Sequence, residues 1–329
     1  MTRALPVFFV ALTLLVAAVL AGEAQQAGKV YRIGYLGSTS PSNYQAPLVE
    51  ALRQGLRSLG YVEGKNLAIE YRWAEGRYDR LPGLAAELVN LKVDLIVTHG
   101  TPGSLAARQA TTTIPIVMAL SGDAVATGLV TSISRPGGNL TGSTFFFPEL
   151  NAKRLELLKE ALPRARRMAA LGNADNPSVK SALKAMESMA ISLNVVLEAV
   201  QVRAPEELPD AFSAMVQRGV DGVVLIDDPM LIGNARLLVD LSAKNRMPTL
   251  GFTEYAHAGG LMAYAVNFSE SWRRAAVFVD KIFKGAKPGE LPIEQATRFN
   301  FVVNLVAARA LGLKIPQPLL IRADEVIQQ

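Results

Sequence analysis

Short β-branched runs alternate with longer amphipathic ones along most of this chain, and the whole alternation is written twice. In the first pass residues 30–36, 67–71, 94–98 and 114–119 read as strands. Residues 44–59, 79–91 and 102–110 read as helices, the first of them stopped by Gly60. In the second pass residues 168–171, 195–201, 222–226 and 249–252 read as strands, with helices over 177–193, 206–218 and 231–245. Two anchors keep nearly constant spacing: Val93-Asp94 recurs as Val220-Asp221, 127 residues on, and Ile114-Pro115 as Met247-Pro248, 133 residues on. One repeat of that size means two similar domains, not a stack of small units.

Strands that alternate with helices pair in parallel and need helices on both faces. Such sheets take ligands beyond the carboxyl ends of their strands, where strand order reverses. The residues at those ends are small or polar. In the first half they are Ser38 and Thr39, then His99, Gly100 and Thr101, then Ser121 and Asp123; in the second they are Asn173, Asp227, Asp228 and Glu254. They suit the walls of a cleft between two sheets. Further on, residues 264–268 read as extended, 270–283 as a helix and 293–303 as extended again, so the chain returns to each half. The expected architecture is α/β, with two Rossmann-like lobes of parallel strands. One lobe takes residues 25–145 plus 266–294, the other 146–265 plus 295–329, and the hinge lies near 144–147, 266–268 and 295–299. Chain crossings of that kind let lobes rock while both sheets stay intact.

The first residues differ in character. Arg3 precedes an uncharged apolar run over residues 5–20, and Gly22 and Ala24 stand where a signal peptidase needs small residues. The reading is an export leader over residues 1–24, a mature chain starting at Gln25 in the periplasm, and no stable membrane insertion after cleavage. A chain of 329 residues less that leader leaves 305, enough for two lobes of about 150 each. Cysteine is absent, which removes thiol catalysis, cysteine metal sites, disulfides and a lipidated cysteine. The net charge of +5 is scattered and not interleaved with aromatics, which excludes a nucleic-acid stripe.

Enzyme signatures fail for want of parts. There is no G-x-G-x-x-G after the first strand, no G-x-x-x-x-G-K-[ST], no G-x-S-x-G and no H-E-x-x-H. His99 and His257 are the only histidines, far apart, and no tight carboxylate cluster joins them, so no metal or cofactor is expected. His99 reads equally as a cleft residue or as a buried polar group bonded to backbone. In the run Phe145-Phe146-Phe147, one or two rings should enter cores, with Phe147 also a candidate to reach a ligand. Asp228 precedes Pro229 and reads as the N-cap of a helix or as a carboxylate facing a ligand amine. Pro102 opens a helix whose first amides suit an anion.

Longer stretches carry a family likeness. Tyr31-Arg32-Ile33-Gly34-Tyr35-Leu36, LRQGLRSLGYVEG over residues 52–64, Thr113-Ile114-Pro115-Ile116-Val117, and Gly122-Asp123 with Gly128-Leu129-Val130 belong to it. So do RPGGNLTG over 135–142 and ALGLKIP over 310–316. Together they resemble the ABC-transporter substrate-binding proteins related to tryptophan- and aromatic-amino-acid-binding receptors. The resemblance implies a type I periplasmic-binding fold, a small-molecule ligand, an ABC importer permease as partner and no catalysis. It also implies ligand contacts at Ser38, Thr39, Gly100, Thr101, Asp123 and Asp228. Relatives often carry an aromatic before the asparagine of the second lobe's first loop. Gly172 stands there beside Asn173, which removes one stacking ring and argues against an aromatic ligand. The ligand expected is a small carboxylate, most simply a zwitterion: lobe one would meet its carboxylate, and Asp228, Asp227 or Glu254 its ammonium. A sensor for a membrane signalling partner and a periplasmic enzyme on the same fold are the competing functions.

Overall fold

The twofold alternation becomes two sheets in the computed structural model, which describes residues 29–41 and 45–329. The expected leader lies outside the described residues. In lobe one, β1 (Tyr31–Gly37) lies between β2 (Leu67–Trp73) and β3 (Leu95–Thr98), followed by β4 (Ile116–Ser121), β5 (Leu140–Phe145) and β11 (Glu294–Ala296). Every neighbouring pair is parallel. Lobe two repeats the order. β7 (Val196–Val202), β6 (Arg167–Asn173), β8 (Gly222–Leu225), β9 (Thr249–Gly251) and β10 (Met262–Val266) are parallel. β12 (Phe299–Asn304) then runs antiparallel to β10, and β13 (Glu325–Ile327) parallel to β12. Strand order reverses between β1 and β3 and again between β6 and β8, so each sheet has a crevice at its own switch point.

Burial explains the pairing. β3, β4 and β8 are buried along their whole length, as strands covered on both faces must be. The cover in lobe one comes from α1 (Gln45–Ser58), α2 (Leu81–Asn90) and α3 (Gly100–Ala110). Lobe two uses α4 (Phe147–Ala161), α5 (Ser178–Ser192), α6 (Leu208–Gln217), α8 (Ala235–Lys244) and the short α7 (Pro229–Gly233) and α9 (Thr253–His257). After β10 the chain returns to lobe one as α10 (Phe268–Phe283). Its buried stripe of Phe268, Trp272, Ala275, Ala276, Val279 and Ile282 repeats at helical spacing and packs on α1 and β4. The chain thus passes between sheets three times, at Phe145–Phe147, Val266–Phe268 and Ala296–Phe299, before ending with α11 (Leu305–Ala310) and α12 (Gln317–Arg322).

Several boundaries differ from the sequence expectation. Residues 231–245 are not one helix: α7 starts at Pro229 and the path breaks at Asn234 before α8. The extended segment expected over 293–303 is two strands, one in each sheet. α3 begins at Gly100, so its first amides lie ahead of Pro102. Phe145 ends β5, Phe146 is exposed, and Phe147 opens α4, a helix the apolar run concealed. Beside the cleft, Gly142 in β5 has φ +133°, and a Cβ there would lie 2.1 Å from the Met118 carbonyl oxygen. Only glycine tolerates that approach, and the β4–β5 register slips between Met118 and Ser121, which sets where Ser121 emerges.

Candidate functional site

The strand ends of both lobes meet at a small cavity of ≈ 40 Å³. Lobe one contributes Gly100, Thr101 and Ser121 to its polar lining, and lobe two contributes Asn176, Ser178, Asp227 and Asp228. The rest of the lining is largely apolar: Leu120, Phe145, Phe147, Ile232, Phe268 and Trp272. A larger open groove of ≈ 520 Å³ runs along α10 and β11, but none of the strand-end residues opens into it.

Lobe one's polar groups are fixed by a buried network. The indole Nε1 of Trp272 donates to the Tyr35 hydroxyl at 3.2 Å, which donates to Gln45 Oε1 at 3.2 Å. Gln45 Nε2 lies 3.1 Å from His99 Nε2, and the Ser38 amide donates to the same nitrogen at 3.4 Å. A backbone amide only donates, so Nε2 accepts and the neutral ring carries its proton on Nδ1. Burial draws the His99 pKa down to about 4. His99 is therefore both of its readings at once: it lines the cavity and is held by backbone. Thr101 Oγ1 lies 3.1 Å from Ser121 Oγ and 2.6 Å from Ser178 Oγ, the latter across the lobes.

In lobe two the adjacent aspartates take different roles. Asp227 pairs with the fully buried Arg154, whose Nη1 lies 2.7 Å from Oδ2 and whose Nη2 donates to Oδ1 at 2.9 Å. Arg154 also donates to the Tyr264 and Leu225 carbonyls, tying α4 to β10 and β8. Asp228 caps α7: Oδ1 accepts from the Met230 and Leu231 amides at 2.9 and 3.3 Å. Its carboxylate further accepts from Asn173 Nδ2 at 3.3 Å and Asn176 Nδ2 at 3.0 Å, and from the Tyr78 hydroxyl of lobe one at 2.9 and 3.0 Å. Burial raises its pKa above the ordinary value, against the pull of those bonds. A carboxylate so fully engaged leaves little room for a ligand ammonium; Asp227, which lines the same cavity, has Arg154 as its side-chain partner.

The remaining sequence candidates divide. Thr39 packs on Gly233 across the cleft; a Cβ on that glycine would lie 3.3 Å from Thr39 Cγ2. Ser38 Oγ donates to the His99 carbonyl, behind the wall. Asn173 holds Asp228 and stands outside the cavity lining. Glu254 buries Oε2 without a hydrogen-bond partner among the described residues, and burial lifts its pKa to about 7. Asp123 does not join the group, since its Oδ1 accepts from the Val125 and Ala126 amides in the turn after β4. Arg154, Tyr78, Asn176, Ser178, Phe268 and Trp272 escaped sequence reasoning, whereas Phe147 does line the cavity. Gly172 is filled from behind by Val179 and Ile226, but four other rings stand at the cavity.

No helix among the described residues is long and apolar enough to cross a membrane. A family model described as ABC transporter substrate binding protein matches residues 41–327. A tyrosine-binding protein of Clostridioides difficile (strain R20291) is 24% identical over 262 residues, 79% of this chain and 75% of that protein. A conserved domain protein from Vibrio cholerae O1 biovar eltor superposes with a TM-score of 0.84 at 26% identity, covering 91% of this chain and all 100% of that one. The ABC domain from Streptococcus pneumoniae in complex with L-Trp superposes with a TM-score of 0.83 at 24% identity, covering 90% and 99%.

Proposed function

Because the chain belongs to the ABC transporter substrate-binding protein family, with the type I periplasmic-binding fold, we propose that it captures an amino acid with a large apolar side chain and presents it to an importer's permease. The observation that carries this reading is the composition of the interlobe cavity, whose lining combines polar groups with aromatic side chains. Thr101, Ser121 and the first amides of α3 suit a carboxylate, because the helix N-terminus carries partial positive charge. Asp227, held in place by Arg154, suits an ammonium. Phe145, Phe147, Phe268 and Trp272 suit the ligand's body, as aromatic faces stack on rings and pack against branched chains.

The relatives support this ligand class: one curated relative is a tyrosine-binding protein and one structural relative was solved with L-Trp. The small size of the cavity, ≈ 40 Å³, supports admission of the ligand by a parting of the lobes about the three crossings. The apolar leader supports export, with capture in the periplasm by a chain starting at Gln25.

Calorimetry on protein unfolded, dialysed and refolded to strip ligand tests the reading. L-tryptophan, L-tyrosine, L-phenylalanine and L-leucine should include a ligand of about micromolar affinity, near −8 kcal/mol. Hydrocinnamate, which lacks the amine, and phenethylamine, which lacks the carboxylate, should bind far more weakly. Binding of myo-inositol or glucose in place of all four amino acids would overturn the proposal.

A further inference from the structure

The cavity is not the only place where the lobes touch. Tyr78 belongs to lobe one, in the turn after β2, yet its hydroxyl lies inside lobe two's helix cap. It donates to Asp228 and accepts from the Met230 amide at 3.1 Å. One hydroxyl thus engages both parts of the α7 start, donating to the carboxylate and accepting from the amide it caps. Around it the seam is close: Gly100 meets Pro229, Thr39 meets Gly233, and Thr101 bonds Ser178 at 2.6 Å. All of these contacts run from protein to protein, and none needs a ligand.

We infer that Tyr78 is an affinity-determining residue that acts without touching the ligand, by bonding lobe one to the Asp228 cap and populating the closed form. The inference rests on the proposal that the lobes open to admit a ligand. Apparent affinity scales with the fraction of protein already competent to hold the ligand, so a contact made only on closure tunes capture from a distance. Asp228 fits this role because its other partners, Asn173, Asn176 and two amides, all lie within lobe two and hold the carboxylate ready for Tyr78.

Tyr78→Phe removes the hydroxyl and keeps the ring, and Asp228 retains its lobe-two donors, so the fold should survive. The chain has no cysteine, so Gln109→Cys and Asp175→Cys can carry two spin labels and no others. These exposed residues, one on each lobe, both line the crevice that Tyr78 also lines. Pulsed electron resonance on the ligand-free protein should show a short-distance population in the wild type. In Tyr78→Phe the closed-to-open ratio should fall roughly tenfold, the scale of one bond to a charged group. Absence of a closed population in the ligand-free wild type, or identical distributions in the two proteins, would overturn the inference. Because no ligand enters this measurement, it reads the latch even if the amino-acid proposal fails. With L-phenylalanine as probe, the variant's dissociation rate should rise while its association rate holds. Equal rates would count against the latch. Thr101→Val, which removes the second interlobe bond, supplies an independent variant should Tyr78→Phe fail to fold, and the same shift is required of it.

Discussion

Arg154 and Asp227 meet beneath the cleft as a two-point ion pair, Nη1 to Oδ2 at 2.7 Å and Nη2 to Oδ1 at 2.9 Å, with the guanidinium wholly out of solvent. Both charges were taken from water, so their attraction largely offsets a desolvation cost and the pair does not add much net stability. Removing one partner is a different matter, because it strands the other. Arg154→Met should lose about 3–5 kcal/mol in urea denaturation. Arg154→Met with Asp227→Leu should recover most of that loss. If the double variant is no more stable than the single, Arg154 matters for its carbonyl bonds and not for Asp227.

Two buried titratable groups give opposite pH slopes. His99 has its pKa lowered from 6.5 to about 4, so between those values the unfolded chain binds a proton that the folded one refuses. Its contribution is present above 6.5 and is lost as pH falls toward about 4. Glu254 has its pKa raised from 4.5 to about 7; its contribution is present below 4.5 and is lost as pH rises toward about 7. Asp228, also raised, shares the sign of Glu254. The opposing slopes should therefore leave wild-type stability flatter from about pH 4.5 to 6.5 than in a variant that lacks either His99 or Glu254, with Asp228 adding to the fall. Glu254→Gln should expose the histidine slope, gaining up to ~3 kcal/mol as pH rises across that window. His99→Gln should slope the other way. Denaturation midpoints at three pH values suffice, and parallel profiles for the two variants would contradict the assignment.

Gly100 separates folding from closure. Its φ of +70° disfavours alanine in either state, by roughly 1–2 kcal/mol. A Cβ would also lie 2.7 Å from Pro229 Cγ, a clash that exists only while the lobes are together. Gly100→Ala should thus lower the melting temperature slightly and ligand affinity considerably more. Surface plasmon resonance with a melting curve checks this; wild-type affinity in a destabilised variant would mean that the seam yields without cost.

Much of this could be read from the chain alone, for local reasons. The twofold βα pattern and the polar strand ends are encoded within a few residues, so the sheets, Thr101, Ser121 and Asp227 were legible. Arg154 was not, because α4 follows the run Phe145-Phe146-Phe147, which masks the helix start. Pro148 marked it, and the buried positions Phe147, Leu150, Asn151, Arg154, Leu155 and Leu158 keep helical spacing, with Arg154 on the apolar stripe. A cation at such a position signals a buried partner. The aromatic residues beyond Phe147 were hidden for another reason. Phe268 and Trp272 lie far along the chain from Thr101 and reach the cleft only because α10 crosses back to lobe one. Tyr78 sits in an ordinary surface turn and gains its role only from the opposing lobe.

The adjacent aspartates give the most discriminating test. A carboxylate that faces the ligand amine and one that holds the lobes shut both weaken capture when neutralised, but only the first should care whether the ligand has an amine. Asp227→Asn keeps the shape of the side chain and removes its charge at the cavity. For L-phenylalanine it should cost about 2–5 kcal/mol of binding, the scale for breaking a buried charge pair. For hydrocinnamate, which offers no ammonium, it should cost little. Asp228→Asn puts an amide NH₂ where the carboxylate now accepts from Asn176 and Tyr78, so donors face donors. The helix cap weakens, by about 0.5–2 kcal/mol of stability. Closure weakens too, and both ligands should lose affinity by the same factor. Calorimetry with the two ligands on the two variants gives four affinity changes. Equal losses of both ligands in Asp227→Asn, together with an amine-selective loss in Asp228→Asn, would reverse the assignment and return the ammonium to Asp228.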